Sequence, residues 1–546
     1  MPTIASMLEA LSDDPGQGLL AGDRVWSWAE VCQEGRRRAR YLDAALPDDP
    51  PHIALLLGNV PEYVFWIAAA AFRGAVVVGV NPTHRGADLA RDISHTECGL
   101  LVTDGEHLEL LDGLDLGERI TRSGGPGGRI VVTDSASFES DIASVSAARI
   151  RPVATEGSLA FLVFTSGTSG APKACRCTQG RLAGIAAVVA TMFELGRSDV
   201  CYLAMPLFHS NALMAGLGPA IASGAAIALP SGGRFSASGF LPDVRQYGAT
   251  YFNYVGKPLT YILATPERPD DADNTLIRVF GNEGSPADVE RFARRFGCRV
   301  VDSYGSTEGG AVVQRTPDTP PGALGRAPEG TIVVDPETLK ECPRALFDSR
   351  GQLLNAREAT GELVSTTSAS GFEGYWKNDE AEKERLRNGW YWTGDLAYRD
   401  EEGFFYFAGR SDDWLRVDGE NFAAAPLARI LERHPDVRLA SVYAVPDPTV
   451  GDQVMAALEL HEGAHFDPED FAAFLAAQPD MGTKWYPRYL RIASSLPVTA
   501  TSKILTRVLR EQGTCSDDPI WWRPGKEISF VPHEQGAPAR SPSTSG

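Results

Sequence analysis

Residues Thr165 to Lys173 read TSGTSGAPK, and no other stretch restricts the chain as tightly. The apolar run Leu159 to Phe164 before it is short enough for a buried strand. The Ala/Val/Ile-rich segment Arg181 to Leu195 after it reads as a helix, which places the motif on a strand-to-helix loop. The loop offers the hydroxyls of Thr165, Ser166, Thr168 and Ser169, the glycines Gly167 and Gly170, and the ammonium of Lys173. Those are parts that can hold phosphates, although the same composition also serves a plain polar turn. The spacing is not that of the common nucleotide loop G-x-x-x-x-G-K-[ST]. Pro172 also disfavours helical geometry at Ala171. Other parts of the chain must settle the chemistry.

Up to about residue 155, short apolar runs alternate with helical ones. Trp28 to Leu42 reads as an amphipathic helix, His52 to Leu57 as a strand, and Pro61 to Ala71 as a helix. Ala75 to Val80 reads as a strand, Leu89 to His95 as a helix, and Gly99 to Thr103 as a strand. This rhythm predicts a mostly parallel α/β sheet. The acidic, glycine-rich piece Asp104 to Asp134 reads as a surface connection. A second unit of the same kind has strands at Tyr202 to Pro206, Ala225 to Leu229, Leu276 to Phe280 and Arg299 to Asp302. Ser285-Pro286-Ala287-Asp288 opens a helix with a serine cap, a proline and an acid in its first turn. Tyr304-Gly305-Ser306-Thr307-Glu308-Gly309-Gly310 follows the last strand, and ligands of open α/β sheets bind beyond such strand ends. From about Arg357 short strands and turns take over. A smaller α+β unit closes the chain, with strands Arg438 to Val445 and Val454 to Leu460 and helices Pro468 to Gln478 and Ile504 to Glu511.

At 546 residues the chain needs two or more cores. A formal net charge of −20 argues against a nucleic-acid partner, which a basic surface would hold. The N-terminus has no basic stretch followed by an apolar one, so no signal peptide is visible, and no apolar run makes a clean membrane span. The eight cysteines include no C-x-x-C pair, which suits a reducing cytoplasm. Cys175 and Cys177 would share one face of a strand, where packing accounts for them better than metal binding.

Six collinear motifs over about residues 20 to 515 resemble the acyl-adenylate-forming superfamily of acyl-CoA synthetases, adenylation domains and luciferases. They are TSGTSGAPK, Pro206-Leu207-Phe208-His209, YGSTEGG, YWTGD ending at Asp395, GRSDD beginning at Gly409, and Pro497 to Lys503. The phrasing from Gly394 to Asn421 looks closest to the long- and very-long-chain fatty acyl-CoA synthetase and fatty-acid-transport-protein branch.

The resemblance implies an α/β fold. A large domain of mostly parallel sheets and a distorted barrel-like subdomain would span residues 1–411, and a small mobile α+β domain 412–525, with a disordered tail over 526–546. It implies ATP, Mg²⁺ and coenzyme A, and a catalytic lysine at Lys503. Many relatives have glycine before that lysine; here it is Ser502. Carboxylate attack on the α-phosphate brings two anions together, and a cation bridging them supplies electrostatic catalysis. Glu308 would hold Mg²⁺ with Thr168, and Thr307 would touch the α-phosphate. Thr165, Ser166, Gly167, Thr168, Ser169, Gly170 and Lys173 would hold the outer phosphates. Gly281, Asn282, Glu283 and Gly284 would face Asp302, Ser303, Tyr304 and Gly305 across the adenine, with Tyr304 stacked on it. Asp395 and Arg410 would hold the ribose. His209 would position the substrate carboxylate, Asp412 would be the hinge, and Gly419 would leave room for the pantetheine arm. Phe208, Tyr251 to Val255 and Ala311 to Gln314 would wall the acyl pocket.

The activity implied is ATP-dependent formation of an acyl-CoA thioester from a fatty or other lipophilic acid through acyl-AMP. An acyl-AMP ligase serving a carrier protein or an amine would share the first step. A non-catalytic lipid binder has no use for Lys503, Glu308, Asp395 and the phosphate loop together. A phosphate-loop kinase fails on the lysine spacing. The expected partners are a small-molecule carboxylic acid, ATP and CoA; peripheral membrane contact and a homodimer stay open.

Overall fold

The computed structural model describes residues 2–46, 51–116, 120, 129–165, 173–316, 318–348, 353–367, 371–410, 414–417, 420–447, 451–478, 481, 485–499, 504–525 and 527–533. The chain forms two compact units. The first comprises residues 1–315 with 369–388, and the second 316–368 with 389–546.

Two sheets organise the first unit. One runs in the order Ile130–Val132, Leu100–Thr103, His52–Leu56, Val76–Gly79, Leu159–Thr165, Lys173–Thr178. All neighbours in it are parallel except the last pair. Its inner strands are buried on both faces, as the runs HIALL and VVVG require. The other is eight-stranded, with Arg299–Gly305, Arg278–Asn282, Tyr251–Val255, Val200–Tyr202 and Ala226–Ala228 parallel at its centre. Helix Trp28–Ala45 starts from a reciprocal cap between Ser27 and Glu30. Helix Pro286–Phe296 starts at Ser285 and stops at the left-handed Gly297.

Three expectations change here. The strand Lys173–Thr178 lies between the phosphate-loop motif and its helix, antiparallel to Leu159–Thr165. The motif therefore joins two antiparallel strands and does not lead from a strand straight into the helix. The strand KACRCT is six residues long and half of them are polar (Lys173, Arg176 and Thr178), a weak apolar signal directly in front of the long helix Gln179–Met192. Ile130–Val132 is a strand of the sheet, inside a stretch read as surface connection. The strand expected at Tyr202 to Pro206 is instead Val200–Tyr202.

The second unit holds two largely antiparallel sheets. One pairs Thr331–Val334, Gly361–Ser365, Trp390–Arg399 and Phe405–Arg410. The other centres on Val437–Asp447 and Gly451–Leu460, whose core includes Leu427, Leu431, Leu458 and Leu475. Among the described residues no helix is long and apolar enough to cross a membrane.

Candidate active site

The neck of the phosphate-loop hairpin is formed by Thr165 and Lys173, which sit opposite each other in register. The loop residues Ser166, Gly167, Thr168, Ser169 and Gly170 lie outside the described residues. Lys173 is 7% exposed and its Nζ donates to Glu384 Oε2 at 2.9 Å. The ammonium also lies 5.7 Å from the Tyr375 ring centre. Further along the same strand, the Cys175 thiol reaches the Thr307 carbonyl at 3.6 Å. Arg181 donates to that carbonyl at 2.6 Å from the helix that follows.

Thr307 and Glu308 thus lie beside the hairpin. Thr307 Oγ1 is 2.7 Å from Ser210 Oγ, next to His209. Glu308 is buried and its Oε1 accepts from the Tyr375 hydroxyl at 2.9 Å. Its other oxygen has no hydrogen-bond partner among the described residues. A buried carboxylate with one oxygen left over and a hydroxyl alongside fits a divalent cation, which takes hard oxygen ligands. Burial, and then the Glu308 charge, push the Cys175 thiol up to about 12, so it stays protonated. The same two causes raise the Tyr375 phenol. Cys175 and Cys177 are both buried and lie on one strand, as expected of packing residues.

The second cluster lies at the carboxyl ends of the central strands. Tyr254, Gly281 and Asp302 are register partners across three adjacent strands. Asn282 and Ser303 form the next row, and Asn282 Nδ2 donates to the Ser303 carbonyl at 2.7 Å. Gly281 to Gly284 and Asp302 to Gly305, expected on opposite sides of the adenine, begin on adjacent strands in parallel register. Tyr304 is half-buried, whereas Glu283 and Gly305 are exposed. Asp302 is buried; its Oδ2 accepts from Tyr254 Oη at 2.5 Å and from the Gly284 N–H at 2.8 Å.

His209 is half-buried, and its Nδ1 accepts from the Asn211 N–H at 3.3 Å. Asn211 reaches the Tyr254 carbonyl at 3.1 Å and accepts from Asn253 at 2.7 Å. Tyr251–Val255, expected as an acyl wall, is a fully buried strand whose side chains divide between two core clusters.

In the second unit, Asp395 and Arg410 are register partners on adjacent antiparallel strands, so the backbones of two residues 15 apart in sequence lie opposite each other. The approach to Asp395 is held by Gly394, whose N–H donates to Glu362 Oε1 at 2.8 Å, and by Thr393, which accepts from the Asp395 N–H at 3.0 Å. Asp412, Gly419 and Lys503 lie outside the described residues.

Arg181, Ser210, Tyr375 and Glu384 are not among the residues expected from the sequence, and Tyr254 is expected there only as part of the acyl wall. The run Gly371-Phe372-Glu373-Gly374-Tyr375-Trp376 alternates glycine with aromatics and was the available signal for Tyr375. Glu373 in that run accepts from the Thr178 N–H at 2.7 Å and hydroxyl at 2.6 Å, which ties it to the hairpin.

A fold of this kind, with its motifs at the strand ends, defines an adenylate-forming enzyme. The family model of AMP-binding enzymes matches residues 9–376, and that of the AMP-binding enzyme C-terminal domain matches 428–503. The chain belongs to this family. It is 50% identical over 528 residues to steroid-22-oyl-CoA synthetase of Rhodococcus jostii, covering 96% of this chain and 94% of the relative. It is 47% identical to the medium/long-chain-fatty-acid–CoA ligase FadD17 of Mycobacterium marinum, covering 95% and 98%. Among solved structures it resembles ATP-bound MatB from Rhodopseudomonas palustris, with a TM-score of 0.80 at 22% identity over 93% of this chain and 98% of that one. These relatives place the chain among the acyl-CoA synthetases, the acid–thiol ligases of the AMP-binding family.

Proposed function

We propose that this synthetase acts on a fatty or steroid side-chain carboxylic acid. The acid attacks the α-phosphate of ATP, giving acyl-AMP and pyrophosphate, and the CoA thiolate then displaces AMP. The observation that carries the site assignment is the convergence of Lys173, Thr307, Glu308, Ser210 and Tyr375 beside the phosphate hairpin. The acid class rests on the activities named for the Rhodococcus and Mycobacterium relatives.

In this reading Lys173 and the loop hydroxyls hold the outer phosphates, and Thr307 meets the α-phosphate. Glu308, with Thr168, would hold Mg²⁺, which neutralises phosphate charge when bound. The base lies against Asp302 to Gly305 and Gly281 to Gly284, and Asp395 and Arg410 hold the ribose. Lys503 bridges the attacking carboxylate and the α-phosphate. His209 positions the acid and does not deprotonate it, because carboxylic acids are already ionised at neutral pH. Asp412 is the hinge between residues 1–411 and 412–525, and Gly419 serves thioester formation.

The test is pyrophosphate release across acids from acetate through long fatty chains and steroid side-chain acids, with and without CoA. Turnover on lipophilic acids with acyl-CoA and AMP accumulating is the expected result. Accumulation of acyl-AMP with no effect of CoA would overturn CoA as the acceptor. Lys503→Ala should abolish acid-dependent ATP–pyrophosphate exchange while preformed acyl-AMP still reacts with CoA; equal loss of both steps rules that role out.

A further inference from the structure

Residues in one register row of a sheet project to the same face, and neighbouring strands lie about 4.8 Å apart. Tyr254, Gly281 and Asp302 form such a row. Tyr254 and Asp302 are separated by a whole strand, yet their side chains meet at 2.5 Å. The glycine between them makes this possible. A Cβ on Gly281 would fall inside the Tyr254 ring, so the tyrosine lies flat across the space a side chain would fill. A Cβ on Gly284 would meet the Tyr254 hydroxyl at 2.5 Å. Tyr254 is fully buried and threads under both ends of the Gly281 to Gly284 turn.

The two donors both land on one oxygen of Asp302. Tyr254 Oη and the Gly284 N–H reach Oδ2, and Oδ1 has no hydrogen-bond partner among the described residues. Oδ1 is also absent from the fully enclosed, unpaired polar atoms, so it opens onto accessible space. A carboxylate pinned by one oxygen presents the other in a fixed direction.

We propose that Tyr254 is a positioning residue for base recognition: by holding Asp302 Oδ2 under the glycine turn, it leaves Oδ1 aimed to accept the exocyclic amine of adenine. The proposal rests on the reading above that the base lies against Asp302 to Gly305. It assigns the selection of an amino-purine over an oxo-purine to a tyrosine that need not touch the nucleotide. Burial raises Asp302 only to about 6, so at neutral pH the group is a carboxylate and an acceptor.

The test compares ATP with inosine triphosphate, whose 6-oxo group accepts where adenine donates, in acid-dependent pyrophosphate release. In Asp302→Asn the amide oxygen takes the two fixed donors and the NH₂ faces the base. The ratio of kcat/KM for ATP to that for inosine triphosphate should then swing toward the oxo-purine by about tenfold or more. Tyr254→Phe should lower the wild-type ratio by about tenfold through KM, with kcat at saturating ATP within about twofold. A Tyr254→Phe enzyme with the wild-type ratio overturns the positioning role while leaving the base where it was placed. An unchanged ratio in both variants overturns the placement of the base itself. If Tyr254→Phe does not fold, Asp302→Asn decides alone: with Tyr254 in place only the NH₂ can face the base, so an unshifted ratio overturns the proposal.

Discussion

Tyr375 donates its hydroxyl to Glu308 Oε1 at 2.9 Å, linking the GFEGYW run to the Thr307–Glu308 pair. The bond holds one oxygen of a buried carboxylate and so sets where the other points. Hydrogen bonds to charged groups contribute about 1.5–3 kcal/mol. Tyr375→Phe should therefore lower kcat by about 10- to 100-fold and raise the Mg²⁺ concentration needed for half-maximal rate. Steady-state rates under Mg²⁺ titration check this; a wild-type Mg²⁺ dependence would separate Tyr375 from the role assigned to Glu308.

Lys173 is buried, but its partner Glu384 is 65% exposed. An ion pair with one end in water contributes about 0–1 kcal/mol. In the proposed complex the triphosphate takes over the ammonium, so Glu384 competes with it. Glu384→Gln should lower the KM for ATP by about two- to fivefold and leave kcat unchanged. An increase in KM would mean that Glu384 orients Lys173 and does not compete.

Burial pushes the Asp302 carboxyl up to about 6, against the Tyr254 and Gly284 hydrogen bonds and the nearby Arg315; Glu283 adds to the rise. Asp288 also faces Tyr254. Because the folded value lies above the ordinary one, the folded state binds more protons between about pH 4 and 6. Ionised Asp302 therefore costs stability above pH 6, and the cost fades as pH falls through that window. Asp302→Asn should gain Tm over the wild type at pH 7.5 relative to pH 5. The wild-type kcat/KM for ATP should fall below pH 6, and the variant should lack that limb. An identical acid limb in both would assign it to another group.

Seven of the eight cysteines are buried, and Cys515 is exposed. Burial pushes Cys98, Cys175 and Cys177 up to about 12, which removes the reactive thiolate. Iodoacetamide on the native protein should give one adduct, at Cys515, with activity retained, and eight after denaturation. Mass spectrometry reads both; labelling of Cys175 in the native state would mean that the Thr307 region opens.

Local chemistry made much of the fold legible. The cap at Ser27 and the Ser285-Pro286 start announce their helices, and runs such as HIALL announce buried parallel strands. The strand Lys173–Thr178 was hidden because Lys173, Arg176 and Thr178 make half of its six residues polar, which leaves little apolar signal. Glu308 was marked by its motif and Asp302 and Gly281 by the family resemblance, whereas nothing in the sequence linked Tyr254 to Asp302 or Glu384 to Lys173. Their roles come from partners 48 and 211 residues away.

The sequence by itself determined the order of the motifs, the chemical groups they carry and the alternation that makes a parallel sheet. These follow from residue type and near spacing. Only the tertiary structure decided that Tyr254 reaches Asp302 across Gly281, that Tyr375 holds Glu308, and that Asp395 lies opposite Arg410. Strand register and hairpin pairing set those distances, and both depend on packing between segments that are remote along the chain.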